Sequence, residues 1–407
     1  MTRIERDELE GVPVYWADAP PPFVVGVIFR VGRSDEELAG AGVSHLIEHL
    51  AIPARHSPNV DVNGTVTGNE TMFWAAAGRR DDALAAFDGI LAGLAELPLQ
   101  RLEAERQILL TEAASAGSDP IQGDAALRFG ARGHGLIAYG EFGLHRLEAP
   151  DVERWWRRYF TAGNAAFWMT GRPPRRFRVP LLAGERRVAR EPEPIPDVRF
   201  PAHNAEGPSG GVSAGLLVKR SFAANAMRDV ADRRLRHRLR FERGLSYGVQ
   251  AVYDRMSPTH AHCVFWADCL DSRAAAVRDD LLSTVRGLAA DGPTVEELRG
   301  ETESLRKAVS DPANAGTFTY GFASDELAGT RKLTTEALVE GREAVRPEDV
   351  AGVLSDALET LLLTTPESAG ELAEGFERYP LTSPKRVSGK THRVRGLHLR
   401  GELRKAR

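Results

Sequence analysis

The feature that most restricts what this chain can fold into is an internal duplication. Met72-Phe73-Trp74-Ala75 leads into Asp81-Asp82-Ala83-Leu84-Ala85-Ala86-Phe87, a helical run to Leu97 and a second helix over about residues 99–116. Val264-Phe265-Trp266-Ala267 leads in the same order into Asp271-Ser272-Arg273-Ala274-Ala275-Ala276-Val277, a helical run to Ala289 and a second helix over about residues 294–309. The two Phe-Trp-Ala triplets lie 192 residues apart. The apolar strand at residues 24–30, ending in Val31-Gly32-Arg33-Ser34, is echoed at 212–218, ending in Lys219-Arg220-Ser221. Ala166-Phe167-Trp168-Met169-Thr170 is echoed by Leu361-Leu362-Leu363-Thr364-Thr365. One architecture therefore has to satisfy both copies. Each reads strand, helix, strands, two helices, strand, which predicts an α+β domain with helices packed on one face of a mainly antiparallel sheet.

A chain of 407 residues exceeds what one compact core holds and suits two such domains. We expect the first at residues 1–180, a linker at 181–210, the second domain at 211–370 and a basic tail at 371–407. The joint lies in a Pro-, Arg- and Glu-rich stretch that contains Glu191-Pro192-Glu193-Pro194-Ile195-Pro196 and lacks sustained apolar periodicity. The formal net charge of -4 is unevenly spread. From Lys385 onward Lys385, Arg386, Lys390, Arg393, Arg395, Arg400, Arg404, Lys405 and Arg407 face a single acid, Glu402, so the body is the acidic part. Such a tail is ordinarily a solvated end, and without an aromatic-interleaved module it does not make a nucleic-acid binder. Cys263 and Cys269 are the only cysteines, which excludes a disulfide framework and suits a reducing compartment. The first ten residues are polar, and no run approaches the roughly 18 apolar residues of a membrane span. The expectation is a cytoplasmic protein without membrane association.

After Gly42 the first copy reads Val43-Ser44-His45-Leu46-Ile47-Glu48-His49-Leu50, with Leu46, Ile47 and Leu50 as the packed side of a helix. His45 and His49 stand at i and i+4, nearly on one face, so two imidazoles can converge on one ion with Glu48 beside them. Imidazole and carboxylate donors suit tetrahedral Zn2+ with one position left for water, and Glu48 would then be the general base. This is H-x-x-E-H, the reverse of the commoner H-E-x-x-H. A helix with two solvent-facing histidines would show the same letters, so a third ligand decides the matter. The helix from Leu99 offers Glu103, Glu105 and Glu112. Glu105 and Glu112 are seven apart and share a face; one can ligate while the other steadies a ligating histidine.

With these residues the chain resembles the insulinase/pitrilysin metallopeptidases, the inverzincins that include the mitochondrial processing peptidases. The resemblance runs from about residue 12 to 365. It implies His45, His49 and Glu112 as zinc ligands, Glu48 as the base and Glu105 as a supporting acid. It also matches Asn63-Gly64-Thr65-Val66-Thr67 to a strand whose edge takes up substrate, making Asn63 and Thr65 candidates for peptide binding. Tyr159-Phe160 through Asn164 to Gly171 resembles the end of the family's first domain. One departure stands out: 63 residues separate His49 from Glu112, fewer than is usual. The shortfall lies between His49 and Asn63, where Pro53, Pro58 and His56-Ser57-Pro58-Asn59 replace a helix, which bears on substrate preference more than on zinc.

The second copy has no zinc motif; its corresponding helix reads Arg234-Leu235-Arg236-His237-Arg238-Leu239-Arg240. The resemblance implies that Arg240 and Tyr247 grip the substrate carbonyl and stabilise an oxyanion. Read alone, they are a surface arginine and a strand tyrosine. The function implied is a zinc endopeptidase acting on unfolded peptides or on precursor and leader peptides. The rival is a non-catalytic relative serving as an interaction or scaffold subunit; such members typically lose ligands or the base, and here the set is complete. Because larger relatives have four units and this chain two, a partner is expected to complete the chamber. A homodimer is favoured, since one chain carries both the zinc set and the Arg240/Tyr247 pair, although related heterodimers divide them.

Overall fold

The computed structural model describes residues 3–54, 57–115, 120–330 and 334–380. His56 and the strongly basic segment from residue 381 lie outside them. The described residues form two six-stranded sheets. The first holds β1 (Glu5–Leu9), β2 (Val12–Ala17), β3 (Phe23–Phe29), β4 (Val60–Val66), β5 (Thr71–Ala77) and β6 (Ala165–Thr170), in the order β1-β2-β6-β3-β5-β4. The second holds β7 (Ala202–Gly207), β8 (Gly211–Lys219), β9 (Val249–Arg255), β10 (His260–Asp268), β11 (Leu362–Pro366) and β12 (Glu377–Arg378), in the order β12-β7-β11-β8-β10-β9.

The duplication is visible strand for strand. β2 runs parallel to β6 as β7 does to β11, and β3 and β8 each pair antiparallel with both neighbours. The copies differ at one edge, where β1 is antiparallel to β2 but β12 is parallel to β7. The Phe-Trp-Ala triplets occupy β5 and β10, with Phe73 and Phe265 buried on the helix-covered face. β7 lies inside residues 181–210, read from the sequence as a linker, and β12 lies inside residues 371–407, read as a tail. Ala202-His203-Asn204 shows no apolar alternation, yet all three residues are buried. His203 is accommodated by hydrogen bonding within the second sheet and to the segment before β12.

The helices of the first copy are α1 (Val43–Ala51), α2 (Arg80–Ala95), α3 (Leu102–Ser115), α4 (Pro120–Phe129) and α5 (Ala149–Tyr159). Those of the second are α6 (Phe222–Arg236), α7 (Ala274–Asp291), α8 (Val295–Ser310), α9 (Ala315–Leu327), α10 (Thr335–Glu343) and α11 (Pro347–Leu358). Apolar side chains at helical spacing place Leu46, Ile47 and Leu50 of α1 and Phe87, Ile90 and Leu94 of α2 on Val25, Val27, Phe29 and Phe167. Val230, Leu235, Leu281, Val285 and Leu354 do the same for the second sheet. The opposite faces are covered by exchange. Phe322, Ala323 and Leu327 of α9 pack on Tyr15, Ile28 and Trp168 of the first sheet. In return α4 lies on β8, β10 and β11, with Ala125 and Phe129 against Met256 and Leu217.

Polar anchors fix both crossings. Tyr15 donates from its hydroxyl to Glu326 at 2.5 Å, and Arg6 binds the same carboxylate at 2.9 Å. Arg128, fully buried, donates to the carbonyls of Thr360 and Gly215 at 2.7 and 2.8 Å and to Asp124 at 3.2 Å. Among the described residues no helix is long and apolar enough to cross a membrane. Cys263 and Cys269 are unpaired thiols.

Candidate metal centre

Helix α1 begins where Gly42, at φ 99°, turns the chain, a conformation that glycine adopts without strain. Its first turn has no side-chain cap of its own. The buried Glu36 instead accepts from the backbone N–H of Gly42 at 2.8 Å and of Ser44 at 2.9 Å. At the other end, Arg101 donates to the carbonyls of Leu50 and Ile52 at 3.2 and 2.9 Å. With both ends held and Leu46, Ile47 and Leu50 locked in the core, His45, Glu48 and His49 are presented on the remaining face.

The structure brings the predicted donors together. One ligand atom each from His45, His49 and Glu112 lies within 4.8 Å of the other two. Glu48 Oε2 is 3.7 Å from Nε2 of both histidines, and Glu112 Oε2 is 3.7 Å from His49 Nε2. Each histidine turns its other nitrogen to a carboxylate: His45 Nδ1 lies 3.0 Å from Glu141, and His49 Nδ1 lies 3.3 Å from Glu105. Each carboxylate is in turn held by an arginine, Glu141 by Arg33 at 3.0 Å and Glu105 by Arg101. Glu105 thus lies against His49, with Arg101 behind it.

Burial pushes the Glu48 carboxyl up to about 7, with Glu112, Glu105 and Glu141 adding to the rise and His45 opposing it. A carboxyl poised near neutrality can take up a proton and return it. Burial works against charge on His45, but the bond to Glu141 and the surrounding carboxylates raise its pKa overall. Burial and the neighbouring His45 lower that of His49. Burial also opposes ionisation of Glu141, yet His45 and then Arg33 hold it below the ordinary carboxylate range.

The donor set fits zinc. Two imidazoles are anchored through Nδ1 with Nε2 turned inward, a carboxylate lies alongside, and acidic partners stand behind both rings. A cavity of about 340 Å³ opens beside His45 and Glu112, walled by Val66, Leu109, Ile137 and Tyr139 among others.

Asn63 and Thr65 sit exposed on β4, the free edge of the first sheet. Their side chains engage the backbone between them: Gly64 N–H donates to Asn63 Oδ1 at 2.8 Å, and the Thr65 hydroxyl donates to Gly64 O at 2.6 Å. Between His49 and Asn63 the described residues after α1 carry no helix, as the shortened interval suggested.

Arg240 lies in a π-helical turn, His237–Glu242, that prolongs α6. Its guanidinium stacks 4.7 Å from the Tyr247 ring centroid and 5.5 Å from that of Phe241. Tyr247 is 78% exposed, on a loop whose Ser246, Tyr247 and Gly248 all donate to Asp268. The structure thus pairs Arg240 with Tyr247, but neither lines the cavity beside His45.

Sequence reasoning missed Glu141, Arg33 and Arg101. Glu141 lies 96 positions from His45 in a glycine-rich stretch without periodicity, so no local signal marks it. Arg101 was within reach, four residues before Glu105 on the same helical turn.

No protein-family model matches this sequence, and no curated protein matches it. Solved structures do match in fold. A protease from Helicobacter pylori shares 12% identity over 90% of this chain and 100% of its own, with a TM-score of 0.73. A peptidase M16 inactive domain from Pseudomonas fluorescens shares 14% over 89% of this chain and 98% of its own, at 0.67. The periplasmic protease PqqL from Escherichia coli shares 14% over 89% of this chain but only 47% of its own length, at 0.66. The chain has the fold of these peptidase structures.

Proposed function

We propose that this protein is a zinc-dependent endopeptidase of the insulinase/pitrilysin family, acting on unfolded peptides or on precursor and leader peptides. The observation that carries the reading is the convergence of His45, His49 and Glu112 within 4.8 Å, with Glu48 3.7 Å from both inward-facing histidine nitrogens. Zinc held there would supply Lewis acidity toward a peptide carbonyl and make water a better acid. The chain's own residues do the rest. Glu48 accepts the proton of the attacking water and delivers it to the leaving amine. Glu105 orients His49. The free edge at Asn63–Thr65 takes an extended peptide by backbone pairing, which asks little of its side chains. Arg240 and Tyr247 offer a cation and a phenol to the substrate carbonyl.

The scaffold reading has one supporting fact, that an inactive domain shares the fold. The complete donor set argues against it. The first copy, residues 1–180, would be the catalytic domain and the second the substrate-gripping one. The two unpaired thiols are in keeping with a cytoplasmic setting. We further propose a homodimer, supported by the match to about half of PqqL and by the exposure of the Arg240/Tyr247 pair away from the cavity.

The test combines elemental analysis with one peptide assay. About one zinc per chain is expected, lost in His49→Ala and Glu112→Gln. Glu48→Gln should keep the metal and lose cleavage by about 10²–10⁴-fold. Full activity in Glu48→Gln would overturn the mechanism.

A further inference from the structure

We infer that Glu141, clamped by Arg33, is a positioning residue that fixes the tautomer of His45 and thereby sets the metal affinity of the centre; this rests on the zinc reading above. Both Glu141 oxygens lie within reach of His45 Nδ1, at 3.0 and 3.1 Å. A carboxylate only accepts hydrogen bonds, so Nδ1 must carry the proton and Nε2 keeps its lone pair for a metal. Arg33 secures the carboxylate from behind. One guanidinium nitrogen binds Glu141 at 3.0 Å, while the other donates to the carbonyls of Tyr139 and Leu136 at 2.7 and 3.3 Å.

The arrangement repeats at the second histidine with a different construction. Glu105 and Arg101 belong to the segment leading through α3 to Glu112, so one element supplies both a ligand and the support of His49. His45 has no such neighbour on α1. Its support comes from a separate segment, brought close because residue 42 has no side chain: a Cβ at Gly42 would fall 2.8 Å from Glu141 Cβ. Arg33, immediately after β3 and its short extension, and Glu141, 108 residues later, are thus joined on one imidazole. Both also wall the cavity beside Glu112. A salt bridge that only held the loop would not need its carboxylate to face a ring nitrogen of a metal donor.

The experiment is a competition titration of the purified full chain with Zn2+ and a chromophoric chelator, alongside urea unfolding of the metal-free protein. Glu141→Ala should weaken zinc binding about 10–100-fold. Glu141→Gln, which keeps a neutral acceptor, should lose less, and Arg33→Met should fall between wild type and Glu141→Ala. Nitrogen-15 NMR of the metal-free protein supplies a second readout: the wild-type His45 ring should be protonated at Nδ1, and Glu141→Ala should shift that proton toward Nε2. A folded Glu141→Ala protein with wild-type zinc affinity and an unchanged tautomer would overturn the inference. If Glu141→Ala does not fold, the Glu141→Gln and Arg33→Met titrations decide in the same way, unchanged affinity in both being the adverse result. Wild-type protein that binds no zinc would instead sink the zinc reading itself, a distinguishable outcome.

Discussion

Gly64 on the edge strand lies directly against Glu48: a Cβ built at this glycine would stand 2.1 Å from Glu48 Oε1 and 2.6 Å from its Cγ. Strand β4 can pass this close to the carboxylate only because residue 64 has no side chain. The edge strand and the proposed base are thereby held next to each other. A peptide paired along β4 would bring its main chain past Glu48.

Gly64→Ala should therefore slow cleavage strongly without unfolding the protein. The added methyl displaces the Glu48 side chain from its place between His45 and His49, and misplacing a catalytic group by about 1 Å costs on the order of 10²-fold. Zinc content should stay at the wild-type level, because the three ligands are not touched. The urea midpoint should move little, since glycine is a poor strand residue and alanine an acceptable one. Wild-type turnover in a folded Gly64→Ala protein would break the link between this contact and the chemistry.

His203 should make stability depend on pH. Its Nδ1 accepts from the N–H of Ala373 at 3.1 Å, so Nε2 carries the proton and donates to Thr365 at 2.8 Å. Both nitrogens are used by the neutral ring, and burial, with Arg278 and Arg378 nearby, lowers the pKa to about 4. The unfolded chain takes up this proton near 6.5. Between those values the unfolded state binds more protons, so stability is full above pH 6.5 and falls as pH drops toward 4. The loss should approach about 3 kcal/mol at roughly 1.4 kcal/mol per pH unit. Denaturation series at pH 7 and 4.5 should show a clearly smaller difference for His203→Asn than for wild type. Equal differences would exclude His203 as the source.

The second crossing gives a stability prediction of another kind. Arg128 and Asp124 on α4 are fully buried against the second sheet, with His262 Nε2 2.6 Å from Asp124. Arg128→Ala leaves a buried carboxylate and two carbonyls without their cation and should destabilise by about 3–5 kcal/mol. Arg128→Met with Asp124→Asn, which removes both charges and keeps much of the volume, should recover part of that loss. Urea unfolding checks both variants, and a double variant worse than the single one would refute the pairing argument.

These relationships show what a single chain discloses. The central strands of both sheets, β3, β5 and β6 and their counterparts β8, β10 and β11, were legible because the duplication repeats them in the same order. The donors on α1 were legible because helical spacing fixes which side chains share a face. The same geometry put Glu105 and Glu112 on one face of α3, but only the resemblance to the insulinase/pitrilysin peptidases told the two apart. The exchange of α4 and α9 was not legible: Phe129 and Phe322 announce burial, but an apolar stripe does not say against which sheet. β7 was hidden because His203 and Asn204 look like loop residues until their partners across the sheet are known. Glu141 and Gly64 escaped for a related reason. Each acts through a contact between distant segments, and neither spacing nor composition encodes such a contact.

The last prediction concerns which chain completes the site. Arg240 and Tyr247 stack together on an exposed surface of the second copy and do not wall the cavity beside His45. If the proposed homodimer brings this pair to the partner's metal centre, each site draws the base from one chain and the phenol from the other. Glu48→Gln and Tyr247→Phe proteins should each be strongly impaired alone. After subunit exchange, about half of the dimers are mixed, and each of these has one site with both groups intact, so activity should return to roughly a quarter of wild type. The measurement is peptide cleavage after co-refolding, with tagged chains to confirm that mixed dimers form. Mixed dimers that remain inactive would place the pair within the same chain. A strictly monomeric species that cleaves peptides at the full rate would remove the dimer altogether and leave the chemistry of Glu48, His45, His49 and Glu112 standing.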